Sequence, residues 1–297
     1  MDNESLEKKL PCNFPDTYPK YNKLTIASRK KEMEKYSRPA EDYVKLGFMH
    51  LENNNYDEAL NCFQKMAELE PDNHKIYINI GYVYEKIDML DSAKKCYEKA
   101  LEIKVDNIEA ILKIGNILES QGDYHHAVDQ YKKAIGIASQ DVEPRFRLAA
   151  LYDRHDMYDE AMEEYENIIR INPLHTRSLY NLGRIYFQYG NYAEASKNFQ
   201  AVLKMEPGNA DAWNDLGSVY EITNNIDEAI STYIRALEVD PFHEETNFNL
   251  ANIQYLLYLS YPQSININEI IQRLNFVLIR NPENKKVQKL LNEIKSS

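Results

Sequence analysis

Residues 178–209 read SLYNLGRIYFQYGNYAEASKNFQAVLKMEPGN, and their spacing decides the fold. Leu179, Leu182, Gly183 and Tyr186 fall at helical intervals and share one apolar face. Ala195 and Phe199 repeat the i, i+4 relation on a second segment. Between the two lies Gly190-Asn191, a break able to take positive φ. Pro207, two residues after Met205, stops the second helix. The stretch is a helix–turn–helix hairpin.

The hairpin recurs on both sides. Gly47, Gly81, Gly115, Ala149, Gly183, Gly217 and Ala251 are each 34 residues apart. Twelve residues later come Ala59, Ala93, Ala127, Ala161, Ala195 and Ala229, and four beyond those Phe63, Tyr97, Tyr131, Tyr165, Phe199 and Tyr233. Pro71, Pro173, Pro207 and Pro241 close four of the units. With these landmarks, residues from about 40 to 282 strongly resemble the tetratricopeptide repeat family. The resemblance implies an all-α protein, a right-handed α-solenoid (superhelix) of about seven 34-residue repeats with a C-terminal capping helix. The repeats fall at about 40–73, 74–107, 108–141, 142–175, 176–209, 210–243 and 244–282, and the cap at 283–297.

The landmarks have physical reasons of their own. Small residues at the Gly/Ala positions let antiparallel helices approach closely. The aromatic four residues after each Ala is expected to fill the gap between one hairpin and the next. Asn54, Asp88, Gly122, Asp156, Gly190 and Asn224 share one register position between helices. These residue types best tolerate a left-handed backbone. Val105 and Ser139 replace the closing proline in two units, which predicts less sharply turned connections there. The seventh unit is degenerate: Pro282 lies 41 residues after Pro241, so seven extra residues fall near 259–268, read as a loop before a second helix near 269–280. Residues 284–295 then form an amphipathic helix, with Val287, Leu290, Leu291 and Ile294 on one side to cap the stack.

Composition agrees with such a chain. Of 297 residues, 43% are hydrophobic and 28% charged, with a net charge of −12 and only 9 Gly and 11 Pro. That is a foldable acidic chain rather than a disordered one. Residues 1–39 differ: they hold four prolines and a charge of +3, leaving −15 on the rest. They read as a basic tail with a short helix over 26–37, either a disordered leader or an arm docking on the acidic body. No run reaches the ~18 apolar residues of a membrane helix. Three cysteines cannot build a disulfide framework, so a reducing, cytoplasmic setting is the default. Cys62 and Cys96, at equivalent positions of successive second helices, read as buried thiols.

No nucleophile–base motif, phosphate loop or metal signature is present, so the chain is expected to be no enzyme and to need no cofactor. His125-His126 reads as an exposed pair. The acidic body argues against nucleic acid. In the tetratricopeptide family the first helix of each hairpin lines a concave groove. Carried over, this places Phe48, Tyr82, Phe146, Tyr180, Phe187, Phe248 and Tyr255 there, with Glu41, Glu85, Glu109, Glu119, Asp211 and Glu221. Some of these aromatics would instead pack between neighbouring hairpins.

Arginines stand apart. Arg147 and Arg154 are seven residues apart on one first helix, Arg177 and Arg184 seven apart on the next, so each pair shares a face. Beside Asn181, Tyr180 and Phe187 they form a candidate anion or acidic-peptide site. The competing reading is internal neutralisation by Glu143, Asp153 and Glu119. The family's lysine–asparagine clamp for chaperone tails is not carried over, because Leu112 and Phe248 stand where its lysine would be. The expectation is a non-catalytic scaffold or adaptor holding a protein partner, through an extended or acidic segment, along its groove. The alternatives are a self-assembling structural subunit, hence a homo-oligomer, and a regulatory partner of a separate enzyme.

Overall fold

The computed structural model describes residues 40–296. The tail 1–39, with its expected helix at 26–37, lies outside the described residues, as does the side chain of Glu41. The described residues form fifteen helices and no strand. They divide into two compact units that part between Leu151 and Tyr152, inside the seventh helix.

The first unit contains α1 (Ala40–Glu52), α2 (Tyr56–Leu69), α3 (His74–Lys86), α4 (Leu90–Ile103), α5 (Ile108–Ser120), α6 (Tyr124–Ile137) and most of α7 (Val142–Arg154). Here α1 packs on α2, α3 on α4 and α5 on α6, and α2 also meets α3 as α4 meets α5. The second unit continues with α8 (Tyr158–Ile171), α9 (Thr176–Gln188), α10 (Tyr192–Met205), α11 (Ala210–Ile222) and α12 (Ile226–Val239). It ends with α13 (Glu244–Ser260), α14 (Ile267–Arg280) and α15 (Lys285–Ser296). There α9–α10, α11–α12 and α13–α14 are the hairpins, and α9 touches α11 as α11 touches α13. Each unit is a stack of hairpins, and the fold class is a helical solenoid of repeats.

The turn within each of the first six hairpins is made by one left-handed residue. Asn54, Asp88, Asp156 and Asn224 have φ of 56–61°, and Gly122 and Gly190 φ of 78° and 73°. These are the six register-matched residues singled out from the sequence. Asn and Asp take this conformation at less cost than other side chains, so the turn needs no glycine.

The landmark glycines have a different reason. A Cβ on Gly81 would lie 2.1 Å from the Tyr97 ring, and one on Gly217 2.5 Å from Tyr233. Gly47, Gly115 and Gly183 meet Phe63, Tyr131 and Phe199 at 2.6–2.8 Å. Each ring is therefore seated on the glycine of its own hairpin, sixteen residues back. The expected packing onto the next hairpin is present as well: Phe199 clusters with Leu216 and Val219, and Tyr233 with Leu250 and Ile253.

One correction concerns the closing prolines. The residue after each second helix is extended whether or not proline follows. Asn172 and Asp240, which precede prolines, have φ/ψ of −131°/92° and −128°/96°. Lys104, which precedes Val105, has −135°/92°, and Ala138 has −129°/73°. Proline disfavours the helical region for its predecessor, but here the turn adopts the extended form by itself. The connections at Val105 and Ser139 are as sharp as the others.

The seventh hairpin absorbs its insertion in two places. Its first helix, α13, has 17 residues where the others have 13, and its turn spans residues 261–266 where the others take three. The expected loop is thus shorter than read, and α14 begins two residues earlier, at Ile267. On it sits α15, with Val287, Leu290, Leu291 and Ile294 no more than 7% exposed against Ile270, Leu274 and Val277. Cys62 is buried, whereas Cys96 is only half-buried, less covered than expected.

Candidate functional site

The aromatics expected in the groove divide by burial. Phe48, Phe146 and Tyr255 are 3–7% exposed and belong to the core. Phe48 meets Phe63 edge-on at 5.6 Å, and Tyr255 packs with Ile270 and Leu274. As surface contacts these three are corrected. Their place in the helical period is shared by packing and groove positions, and only neighbours decide between them. Tyr82, Tyr180, Phe187 and Phe248 are half-buried. In the first unit, Lys86 and Lys113 stand over the Tyr82 ring at 5.1 and 5.0 Å.

Three acids expected in the groove serve the hairpin tyrosines. Tyr97 donates to Glu85 at 2.7 Å and Tyr233 to Glu221 at 2.7 Å, while the Tyr131 hydroxyl lies 2.9 Å from Glu119 and 2.8 Å from Asn116. The acid always precedes its tyrosine by twelve residues. Where the ring is Phe63 or Phe199, that place holds Leu51 or Phe187. The rule is physical: a buried hydroxyl needs an acceptor, and a phenyl ring does not. In the fourth repeat the acid is Asp153, one methylene shorter, and the Tyr165 hydroxyl instead accepts from Asn181 at 2.8 Å. Burial raises the Tyr165 and Tyr233 hydroxyls well above the usual phenol range. Glu85 also holds Lys113 at 2.7 Å.

The arginines fall in different units. Arg147, in the first, is paired with Glu143 at 2.5 Å and donates to Asn116 at 3.0 Å. In the second unit Arg184 lies 4.0 Å from Asp153. Burial raises the Asp153 carboxyl above its ordinary range, and Arg184 and Arg154 pull it back. Arg154 and Arg177 are exposed. Neutralisation is therefore real at Arg147, and loose at Arg184.

Beyond Arg184, the first-helix side of the second unit opens into a pocket of about 250 Å³. Its lining includes Arg184, Phe187, Phe199, Asn214, Asp215 and Glu245. Phe199 is fully buried and closes the base. Tyr180, on α9, donates to Asp215 Oδ2 on α11 at 2.8 Å, and Asn214 Nδ2 donates to Oδ1 at 3.2 Å. Asn214 is fixed in turn by Thr246 and Asn249 of α13, at 3.0 and 3.1 Å. Burial raises Asp215 above the usual carboxylate range, and its hydrogen bonds only partly counter this. The charge changes sign along this side: Arg177 and Arg184 on α9 give way to Asp211, Asp215 and Glu221 on α11, then Glu244 and Glu245 on α13.

Asp215, Asn214 and Glu245 were not singled out from the sequence. A signal was there. Asp215 is one period after Asn181, Asn214 one after Tyr180, and Glu245 two after Arg177. Reading each register column down the chain shows the change of sign that reading along one helix hides. His125 and His126 are both exposed, with His126 2.8 Å from Asp123. Among the described residues no three His, Cys, Asp or Glu gather as a metal would require, and no helix is long and apolar enough to cross a membrane.

Comparison with known proteins adds to this geometry. Family models described as "Tetratricopeptide repeat" match residues 40–73, 74–107, 108–141, 146–195 and 186–246. The search of curated proteins gave no match. Among solved structures, the C-terminal part of a tetratricopeptide repeat-containing protein from Cytophaga hutchinsonii is 19% identical, with a TM-score of 0.65 over 82% of this chain and 98% of that one. YrrB, described as a tetratricopeptide protein with an unusual peptide-binding site, is 24% identical, with a TM-score of 0.52 over 62% of this chain and 95% of its own. A structure of MamA is 25% identical, with a TM-score of 0.52 over 56% of this chain and 97% of its own.

Proposed function

Because this chain belongs to the tetratricopeptide repeat family, we propose that it is a non-catalytic scaffold, and that it holds an extended segment of a protein partner against α9, α11 and α13. The observation that carries this reading is the pocket below Arg184, walled by aromatic rings and ringed by both signs of charge. Half-buried aromatics among polar groups are the composition of recognition surfaces. The fold supports the reading as well, since YrrB, a protein of this fold, is described as having a peptide-binding site. The acidic part of the segment lies toward Arg154, Arg177 and Arg184, where guanidinium forks match carboxylates.

The test is charge reversal. Arg177→Glu with Arg184→Glu abolishes capture of the principal partner from native extract and leaves the thermal midpoint unchanged. Undiminished capture removes these arginines from the account.

A further inference from the structure

The pocket of the second unit is too small for a typical small-molecule site, and its chemistry is specific. Ligand pockets usually enclose roughly 300–1,000 Å³, against about 250 Å³ here. That space suits one long side chain. Its base is the fully buried Phe199 ring, with the half-buried Phe187 ring beside it. Its polar part carries Asp215 and Glu245. A carboxylate has about four acceptor positions. Tyr180 and Asn214 take one on each oxygen of Asp215, at 2.8 and 3.2 Å. The remaining acceptors belong to a group that lines the pocket.

We propose that this pocket takes the side chain of an arginine in the partner segment, its guanidinium on Asp215 and Glu245 and its stem against Phe187. Arginine fits better than lysine because its planar fork bonds carboxylates in pairs and stacks on rings. Arg184 also lines the pocket and its charge reaches Asp215, but its ion pair is with Asp153, at 4.0 Å, and not with Asp215. Burial disfavours the ionised Asp215 carboxyl beyond what Tyr180, Asn214 and Arg184 offset, and an incoming guanidinium favours it. The recognised segment is then bipolar: acidic residues toward α9, and an arginine a few residues along, over α11 and α13. This inference rests on the scaffold reading and adds the partner's chemistry to it.

A library of random twelve-residue peptides on phage, selected on the full chain, tests it. The expected result is a selected family with arginine at one fixed position. Changing that arginine to citrulline, its uncharged near-isostere, weakens the synthetic peptide about tenfold or more, in line with loss of a charge-assisted pair. Asp215→Asn with Glu245→Gln gives a similar loss for the arginine peptide and almost none for the citrulline one. Glu245→Gln alone, at an exposed residue, gives a smaller loss in the same direction and guards against a folding defect in the double variant. Selected peptides without an arginine preference overturn the proposal and leave the scaffold reading standing. Selection of no peptide at all overturns both.

Discussion

At the scale of single residues, two glycines of this chain have opposite consequences. Alanine at Gly81 gains about 1 kcal/mol of helix propensity. Its Cβ, however, would lie 2.1 Å from Tyr97, whose ring is fully buried and whose hydroxyl is tied to Glu85. Overpacking of this kind costs about 1–3 kcal/mol, so Gly81→Ala is predicted to lower stability in urea unfolding. At Gly136, on α6, an added Cβ meets nothing within 4 Å. There Gly136→Ala is predicted to raise stability by about 0.5–1 kcal/mol. Asp215 carries a third prediction. Its folded pKa is raised above 3.8, chiefly by burial and further by Glu245, with Tyr180, Asn214 and Arg184 opposing. The folded state thus holds this proton more tightly than the unfolded chain. The unfavourable contribution of the ionised group grows as pH rises from 3.8 through the folded pKa and is complete above it. Asp215→Asn, which keeps an acceptor for Tyr180, should therefore be more stable than the parent at pH 7. The gap should close as pH falls toward 4. A gap that widens on acidification would contradict the burial argument.

At the scale of helices and turns, most of the architecture was legible because each hairpin repeats one solution. The six left-handed turn residues follow from residue type and spacing alone, whereas the seating of each ring on the glycine of its own hairpin appears only in the packing. What the sequence did not reveal was whether a missing proline matters, since absence of a constraint says nothing about the conformation taken without it. Lys104 answers this, being as extended before Val105 as Asn172 is before Pro173. Val105, 70% exposed, is thus a place where proline fits. Val105→Pro is predicted to stabilise the chain by about 0.4–1 kcal/mol, by restricting the unfolded state. A lower urea midpoint would show that the α4–α5 connection differs from its proline-bearing counterparts. The candidate site was legible only in part. Aromatic positions were visible, but Phe48, Phe146 and Tyr255 turned out to be core, because helical periodicity places a face without saying what covers it. Glu85, Glu119 and Glu221 looked like groove acids until their tyrosine partners, brought close only by the hairpin, gave them another task.

At the scale of the whole molecule, the acidic body and the basic tail leave self-assembly as the rival to partner binding. The scaffold account predicts one protomer mass by light scattering, with or without residues 1–39. A tail-dependent oligomer would favour the structural-subunit alternative. The central claim is more local: a partner segment lies on the first-helix side of the second unit. Photo-crosslinking tests it directly, with benzoylphenylalanine placed either at Gln188, which lines the pocket, or at Lys197, exposed on second helix α10. The account predicts a covalent adduct with the principal partner from Gln188 and none from Lys197. An adduct from Lys197 alone would contradict it.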